Sequence, residues 1–450
     1  IDDDFIEECA SKGVQNSYTY HFQDHERADA GNIGSVVERW REICRCKIAL
    51  CRSIRDDAEK TLDAMRAAFK AVPRELYGCP GSHIVRPEEQ RLYEAVGSSS
   101  GLVLLTGDAG CGKSVMLSGM IDRLEAAGER VLPLKADMMA KGMASASVID
   151  TLVSMLAPTV IVIDQIDALS QSMSADRSHL NDIMALIGRS ALRQGRNVRV
   201  VVSCRDFDLS NDPALSTLER SEGCVRIRVG LLPAEDVAKI VPEAGDGRFA
   251  EMLTLPQNLD IYCRVRASGG GDGRGILSRI DLYDELWRSV ICCKSASGGL
   301  EPSEVETVVQ DLAMAMEAEG SLCVEYNGDA ATLRVVEFLK SEGIVAGSGM
   351  MVRFFHQTFY EYVVARSCAV RGESPVAGML AGHQGLFVRS RIKFVCDYLR
   401  RKSPQLYRAD LLRLTSVSVR PHLRLMTMGM FAEHEELLRA EKSLVATLRR

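Results

Sequence analysis

The sequence contains no run of about 18 consecutive apolar residues, which is the length that a membrane-spanning helix requires. It also lacks an excess of positive charge, because 55 Lys and Arg residues stand against 61 Asp and Glu residues and the formal net charge is -6. The overall charge therefore gives no reason to expect binding to nucleic acid or to an anionic membrane. We expect a cytoplasmic protein without a membrane partner.

Paired CxxC motifs are also missing, although the chain has 14 cysteines. Several of them, such as Cys263 and Cys396, lie in apolar periodic segments, where cysteine behaves as a small hydrophobic residue. This usage is typical of a reducing cytosol. Cys44, Cys46 and Cys51 could be read as zinc ligands, but the missing CxxC pairs and the helical periodicity of their segment disfavour a structural zinc site.

Length alone suggests two to four domains, at roughly 150 residues per domain. The sequence pattern divides the chain further. We predict five segments. Residues 1–80 are a linker or helical segment, or the tail of an N-terminal effector, and residues 81–232 are a P-loop nucleotide-binding domain. Residues 233–300 are a first helical domain, residues 301–368 a winged-helix domain, and residues 369–450 a second helical domain or the start of sensor repeats.

Apolar strands alternate with helices in the second of these segments, as in "GLVLLTG", "RVLPLKA", "TVIVIDQ" and "NVRVVVSCR". Apolar strands that are separated by helices indicate a parallel sheet buried on both faces. The predicted fold class is therefore an α/β P-loop NTPase domain with a parallel sheet, followed by a helical domain, a winged-helix domain and an all-α C-terminal region.

The stretch "GDAGCGKS" matches the phosphate-binding pattern GxxxxGK[ST], and it follows a strand and opens a helix, as that pattern requires. Backbone N–H groups of such a loop surround the phosphates, Lys113 neutralises their charge, and the Ser114 hydroxyl is offered to Mg²⁺. We predict that ATP or ADP binds with Mg²⁺ to Gly107, Asp108, Ala109, Gly110, Cys111, Gly112, Lys113, Ser114 and Val115.

Three further residues follow apolar strands and are predicted to act in catalysis with Lys113. Asp164 ends "TVIVID" and is expected to hold Mg²⁺ together with Ser114, although it could instead be a turn aspartate that caps a buried strand. Asp167 either polarises water or caps the next helix. Arg205 ends the strand in "VVVSCRDFDL", at the edge where it can reach a γ-phosphate; the alternative is a surface arginine.

From His83 to Arg366 these residues resemble the STAND class of P-loop NTPases and, within it, the NACHT-like branch. "HIVRPEEQRLYEAV" looks like the lead-in that lines the adenine pocket, with Val85 and Arg86 at the matching places. "LTLPQNLDIY" is similar to the proline motif of the first helical domain, which implies that Pro256 lies against the base or ribose. "VRFFHQTFYEYVVAR" looks like the winged-helix signature and implies that His356 binds the β-phosphate of ADP.

The resemblance implies a switch that ADP holds off and that ATP turns on by letting the winged helix swing about the "GGGDGRG" stretch. The active form would be a homo-oligomer, a tetramer or larger ring, of an NLR-like immune sensor in bacterial anti-phage defence. A trigger such as a phage protein would bind C-terminal parts outside this chain, and nucleic acid would be contacted only through an effector outside it. Since the chain begins with Ile1, we expect a fragment of a larger protein.

Slow or conditional ATP hydrolysis is expected, because many AAA+ ATPases have a glutamate directly after the strand aspartate and this sequence has Gln165, which cannot act as a base. The resemblance implies that the site binds adenine rather than guanine nucleotides. The NKxD stretch that selects guanine is also absent from the sequence.

Two other functions compete with the switch. An initiator-like or nucleic-acid-remodelling AAA+ ATPase also joins a P-loop domain to a winged helix, but its reading helix should be basic, and the segment 331–341 carries Arg334, Glu337 and Lys340 without a cationic stripe. A small-molecule kinase would not need the helical and winged modules that follow the core.

Overall fold

The structure is a computed structural model. It describes residues 33–98, 101–139, 145–170, 177–190, 198–245, 247–269, 275–319, 322–326, 328–347, 351–381, 386–416, 418–432 and 436–448. The predicted effector tail before residue 33 and most of the glycine-rich stretch, residues 270–274, lie outside the described residues, as do the side chains of Cys44, Cys46 and Cys51.

Five parallel strands form a sheet within the described part of residues 102–229, in the order β2-β3-β4-β1-β5. The strands are β1 (Leu102–Gly107), β2 (Val131–Lys135), β3 (Val160–Asp164), β4 (Arg199–Arg205) and β5 (Val225–Val229). Strands β1, β2 and β3 are buried along their whole length, as expected for a parallel sheet covered on both faces. The predicted α/β fold class is confirmed.

Helices precede the sheet and connect its strands. They are α1 (Ile33–Lys70), α2 (Pro87–Ser98), α3 (Lys113–Ala126), α4 (Ala136–Met139), α5 (Ala146–Leu156), α6 (Asp167–Ser170), α7 (Ser178–Ser190), α8 (Asp206–Asn211) and α9 (Pro213–Glu219). The chain divides into two compact units, one of residues 1–64 and 144–157 and the other of residues 65–143 and 158–450. The second unit holds the sheet and everything described below.

The register of the sheet brings four polar or flexible positions to its carboxyl edge. Gly107 at the end of β1 pairs with Arg205 of β4 on one side and with Val229 of β5 on the other. Lys135 at the end of β2 pairs with Asp164 at the end of β3. Ligands of open α/β sheets bind at this edge, so the register assembles a site there.

Helices dominate after β5. They are α10 (Ala234–Ile240), a 3₁₀ turn (Pro242–Ala244), α11 (Arg248–Leu253), α12 (Pro256–Ala267), α13 (Arg279–Leu286), a π-helix (Trp287–Lys294), α14 (Ser295–Ser297), α15 (Pro302–Glu319), α16 (Ala330–Ser341), α17 (Gln357–Arg371), α18 (Pro375–Ala381), α19 (Leu386–Lys402), α20 (Pro404–Leu414), α21 (Pro421–Ala432) and α22 (Arg439–Leu448). None of the described helices combines the length and the apolar character that crossing a bilayer demands.

A small antiparallel sheet interrupts these helices. It contains β6 (Val324–Glu325), β7 (Val345–Ala346) and β8 (Met351–Phe354) in the order β6-β8-β7. Along the chain, β6 lies between α15 and α16, and β7 and β8 lie between α16 and α17. The winged-helix assignment of residues 301–368 and the other domain boundaries stay predictions.

One hydrophobic core extends through the helical region from Leu232 to Phe431. Helix α17 runs through it, with the rings of Phe359 and Tyr362 completely buried and stacked on each other at 5.8 Å between centroids. The core crosses the predicted boundaries at residues 300 and 368. Because α17 is packed into this core, a displacement of its first turn also displaces the surrounding helices.

A buried carboxylate fixes the last described helix, and its removal should destabilise the protein. Glu441 is fully buried and accepts hydrogen bonds from Arg400 Nε at 2.8 Å and from the Tyr407 hydroxyl at 2.6 Å. We expect Glu441→Ala to cost about 3 kcal/mol, because it leaves buried donors without their acceptor. A lowered Tm in thermal unfolding checks this, and Lys442→Ala, an exposed change on the same helix, should leave the Tm unchanged.

Candidate nucleotide-binding site

The loop between β1 and α3 has the backbone of a phosphate-binding loop. Gly107, Gly110 and Gly112 have φ angles of 152°, 81° and 97°, which residues with a Cβ rarely adopt. A Cβ on Gly107 would stand 2.6 Å from the Val229 carbonyl oxygen, and one on Gly110 would stand 2.3 Å from Gln257 Oε1. Gly107 and Gly110 are therefore required by both conformation and space, and Gly112 by conformation.

Lys113 folds back over the loop. Its Nζ donates to the carbonyl oxygens of Gly107 and Asp108, each at 2.8 Å, and the residue is only 8% exposed. An ammonium group held by two carbonyls at the mouth of the loop is placed to exchange them for phosphate oxygens. Asp108 is exposed and Ala109 and Val115 are half-buried at the rim of the same loop.

Cys111 and Arg86 hold the loop against the sheet. The Cys111 side chain is 1% exposed, and burial raises the pKa of its thiol although Lys113 and Arg86 oppose this. Arg86 is buried and donates to the carbonyl oxygens of Cys111 at 2.8 Å and Gly230 at 2.9 Å. Val85 is 75% exposed beside it. The adenine-pocket role of Val85 and Arg86 stays a prediction, while the bracing role of Arg86 is what the contacts show.

Asp164 is completely buried at the end of β3. Its Oδ1 accepts from the Ser203 hydroxyl at 2.6 Å, its Oδ2 accepts from Lys135 Nζ at 3.1 Å, and the Ser114 hydroxyl lies close enough to favour its ionised form. Burial opposes its ionisation, but the charge of Lys135 and these hydrogen bonds outweigh burial and lower the pKa of Asp164. The group is therefore a carboxylate at neutral pH.

The pair of Ser114 and Asp164 fits a magnesium site. Mg²⁺ prefers oxygen ligands and is held in P-loop NTPases by a loop hydroxyl and a strand aspartate. The two side chains lie close to each other, with Ser114 in the first turn of the helix that follows the phosphate loop. They would hold the ion, which would supply charge neutralisation for the phosphates.

Asp167 and Arg205 form an ion pair at the same edge. Arg205 Nε lies 3.1 Å from Asp167 Oδ2, and Asp167 is 2% exposed. Asp167 Oδ1 is buried and has no hydrogen-bond partner among the described residues. Gln165 lies between the two aspartates with a φ of 58°, and its backbone N–H donates to the Ser203 hydroxyl at 2.7 Å. Asp167, the carboxylate predicted to polarise water, is thus already paired with a cation.

Arg205 also reaches the helical region. Its Nη2 donates to Gln357 Oε1 at 2.9 Å, and Gln357 is the first residue of α17. The Gln357 side chain in turn donates to Glu361 at 3.0 Å. Burial lowers the pKa of Arg205, but the charges of Asp167, Asp208 and Glu361 raise it overall, so the guanidinium stays charged.

Gln257 links the phosphate loop to the first turn of α17. Its backbone N–H donates to the Gly110 carbonyl at 3.2 Å. Its side-chain Nε2 lies 2.9 Å from His356 Nδ1 and 2.5 Å from Thr358 Oγ1. Pro256 precedes it as the first residue of α12, where a missing N–H costs nothing. Gln257, which follows the predicted Pro256 in the chain, therefore connects the predicted His356 to the phosphate loop.

His356 is held as a neutral ring with a defined tautomer. Its Nδ1 accepts from the Thr358 N–H at 3.2 Å, which caps α17, and faces the Gln257 amide. Desolvation by the surrounding protein lowers the pKa of His356 to about 3, with the charges of Arg205, Arg279 and Lys113 acting in the same direction. Since Nδ1 accepts, the proton is on Nε2, which is therefore a donor.

Comparison with known proteins identifies the first part of this arrangement. The family model described as "ATPase family associated with various cellular activities (AAA)" matches residues 103–228. The chain contains an AAA-type P-loop NTPase domain. The match covers β1 to β5 and includes the phosphate loop, Asp164, Asp167 and Arg205, whereas Gln257 and His356 lie outside it.

Several solved structures are similar to the chain at a low level. A Walker-type ATPase of Pyrococcus abyssi has a TM-score of 0.33 and 11% identity, over 66% of this chain and 99% of that one. A signal transduction ATPase with numerous domains (STAND) and a tetratricopeptide repeat sensor, from Pyrococcus horikoshii, has 0.37 and 12%, over 81% and 56%. AMPPCP-bound DnaA from Aquifex aeolicus has 0.31 and 12%, over 59% and 93%.

These values are too low to carry over the role of any residue. The chain spans 56% of the STAND protein. No curated protein matches the chain in sequence.

Three residues of the site were missed by sequence reasoning. Lys135 ends β2 without a motif of its own, and the register of β2 brings it to Asp164. Gln357 follows the predicted His356 inside "VRFFHQTFYEYVVAR", but only the packing of α17 brings it to Arg205. Gln257 directly follows the predicted Pro256, so its position in "LPQN" was a usable signal.

A methyl group on Gly110 tests whether the loop and Gln257 must approach this closely. Gly110→Ala combines a strained φ of 81° with a contact of 2.3 Å to Gln257 Oε1. We expect nucleotide affinity to fall by at least about tenfold, because the loop must deform to relieve the clash. Gly119→Ala is the control, since nothing lies within 4 Å of its added Cβ on α3. Equal affinities of the two variants, measured by fluorescent-nucleotide titration, would contradict the geometry.

The neutral state of His356 predicts a pH dependence. Its pKa is about 3 in the folded protein against a reference value of 6.5, so its contribution is complete above pH 6.5 and is lost as the pH falls towards 3. Between pH 6.5 and pH 5 this loss amounts to about 2 kcal/mol. His356→Asn keeps a helix-capping side chain without titrating.

The drop in Tm between pH 7 and pH 5 should therefore be smaller in His356→Asn than in the unmodified protein. The remaining histidines are common to both proteins and cancel in this comparison. Identical pH profiles would show that His356 does not titrate as its surroundings require.

Proposed function

We propose that this chain is a nucleotide-dependent switch, in which ADP holds α17 against the AAA domain and ATP releases it. The observation that carries the proposal is the cluster of Gln257, His356 and Thr358 beside Gly110. It places a neutral histidine, with its Nε2 proton available, on an element outside the AAA domain and within electrostatic reach of Lys113. A histidine so placed would donate to the phosphate next to the loop.

A second contact supports release by the triphosphate. Arg205 joins Asp167 of the AAA domain to Gln357 of α17. An arginine at the carboxyl edge can bind a γ-phosphate bidentately, and such a bond competes with its existing partners. Loss of the Gln357 contact would weaken the attachment of α17 to the AAA domain. The Arg205 guanidinium would thus couple the presence of a γ-phosphate to the position of α17.

Slow hydrolysis follows from the carboxylates. Gln165 cannot accept a proton, and the Oδ2 of Asp167 is already engaged by the Arg205 guanidinium. Asp167 Oδ1 has no described partner and would orient the attacking water. Lys113, Ser114 and Asp164 would bind the phosphates and Mg²⁺, and Val85 and Pro256 would line the base and ribose.

The wider role is proposed on the sequence resemblance. Released α17 would allow oligomerisation into a tetramer or larger ring of an NLR-like, cytoplasmic immune sensor, with a phage protein as its trigger. Nucleic acid would be contacted only through an effector. A direct role on DNA is not supported by α16, because Lys340 donates to Glu337 at 2.8 Å and the helix presents no cationic face.

Identifying the nucleotide that co-purifies with the protein tests the proposal. We expect ADP at close to one equivalent in the unmodified protein and at least about tenfold less after His356→Ala, because a charge-compatible donor to the phosphate is lost. His179→Ala, on α7 of the AAA domain, is the matched control and should keep its ADP.

An empty site with fast, steady ATP hydrolysis that His356→Ala leaves unchanged would overturn the switch. Duplex binding that weakens steeply with salt would then favour a nucleic-acid-remodelling ATPase.

A further inference from the structure

Lys135 stands directly opposite Asp164 in the register of β2 and β3. The residue is 4% exposed, and its Nζ lies 3.1 Å from Asp164 Oδ2. A buried ammonium is costly unless an opposite charge accompanies it. Lys135 therefore depends on Asp164, which is the residue expected to help hold Mg²⁺.

Each oxygen of Asp164 already has a protein donor in this arrangement. Ser203 donates to Oδ1 and Lys135 donates to Oδ2, and the nearby Ser114 hydroxyl also favours the ionised carboxylate. The charge that a magnesium ion would balance is already balanced by Lys135. An ammonium and a divalent ion near one carboxylate repel each other, so each weakens the binding of the other.

Lys135 is held in place from its other side by the end of α1. The centre of the Phe69 ring lies 4.9 Å from Lys135 Nζ, and Phe69 is 2% exposed. The Phe69 carbonyl accepts from the Ser118 hydroxyl at 3.0 Å, and Arg74 Nη2 donates to the Ser118 carbonyl at 3.0 Å. An aromatic face attracts a cation and excludes water from it. The ring therefore keeps the ammonium on Asp164.

We infer that Lys135 is a positioning residue that serves as the built-in counter-ion of Asp164 and lets this site bind nucleotide with little dependence on Mg²⁺. The inference rests on the proposed nucleotide binding. Without Lys135, a buried carboxylate with no counter-charge would face the phosphates and repel them until Mg²⁺ balanced it. With Lys135, the nucleotide meets a neutral pair whether or not the metal is present.

The test is the ratio of the Kd for a fluorescent ADP analogue in EDTA to its Kd in excess Mg²⁺. We expect this ratio to be at least tenfold larger in Lys135→Met than in the unmodified full chain, because only the metal-free Kd is raised. Lys135→Arg keeps the charge, and its ratio should stay within twofold of the unmodified value. A merely structural role would weaken both Kd values equally and leave the ratio unchanged, which would overturn the inference.

Phe69→Leu is a second variant that tests the role of Lys135 if Lys135→Met does not fold. It keeps both charges and removes the aromatic face, so the ratio should rise in the same direction by about twofold or more. An unchanged ratio in this variant overturns the inference. If the unmodified chain binds no analogue under either condition, the proposed function fails and the inference fails with it, whereas binding with an unchanged ratio defeats the inference alone.

Discussion

Gln257 joins the phosphate loop of the AAA domain and the helical region in one hydrogen-bond network. Its backbone N–H binds the phosphate loop at Gly110, and its amide faces His356 Nδ1 and Thr358 Oγ1 at the start of α17. The side-chain Nε2 also lies 2.9 Å from the Tyr283 hydroxyl, inside the core of the helical region. A change in the loop's position must therefore break these bonds or move α17, because buried amide groups are costly to leave unpaired.

The two buried aspartates at the carboxyl edge of the sheet are each paired with a cation. Asp164 pairs with Lys135, and Asp167 pairs with Arg205, so both carboxylates have a counter-charge before any ligand binds. Breaking either pair by removing one partner would leave an uncompensated charge. A phosphate ligand avoids that cost only if it replaces Asp167 as the anion bound to Arg205 and Asp167 gains another hydrogen-bond donor. Binding of the charged ligand is thus coupled to the rearrangement of these ion pairs.

The sequence predicted the parts of this site that are local in the chain. A glycine-rich loop needs its glycines, lysine and serine within eight positions, and an apolar strand marks the aspartate at its end, so Gly107, Lys113 and Asp164 can be found without a structure. Lys135, Gln257 and Gln357 act through strand register or through packing between distant segments, which no local pattern encodes.

The same ion pair links the nucleotide site to α17. Arg205 contacts Asp167 on one side and Gln357 on the other, so a ligand that draws the guanidinium away acts on both contacts at once. Gln165 offers no carboxylate that could act as a base while the pair stays intact. In the switch that we propose, one movement of Arg205 would both free Asp167 to orient water and loosen α17. Hydrolysis and release would then require the same rearrangement, which the close-packed helical core resists.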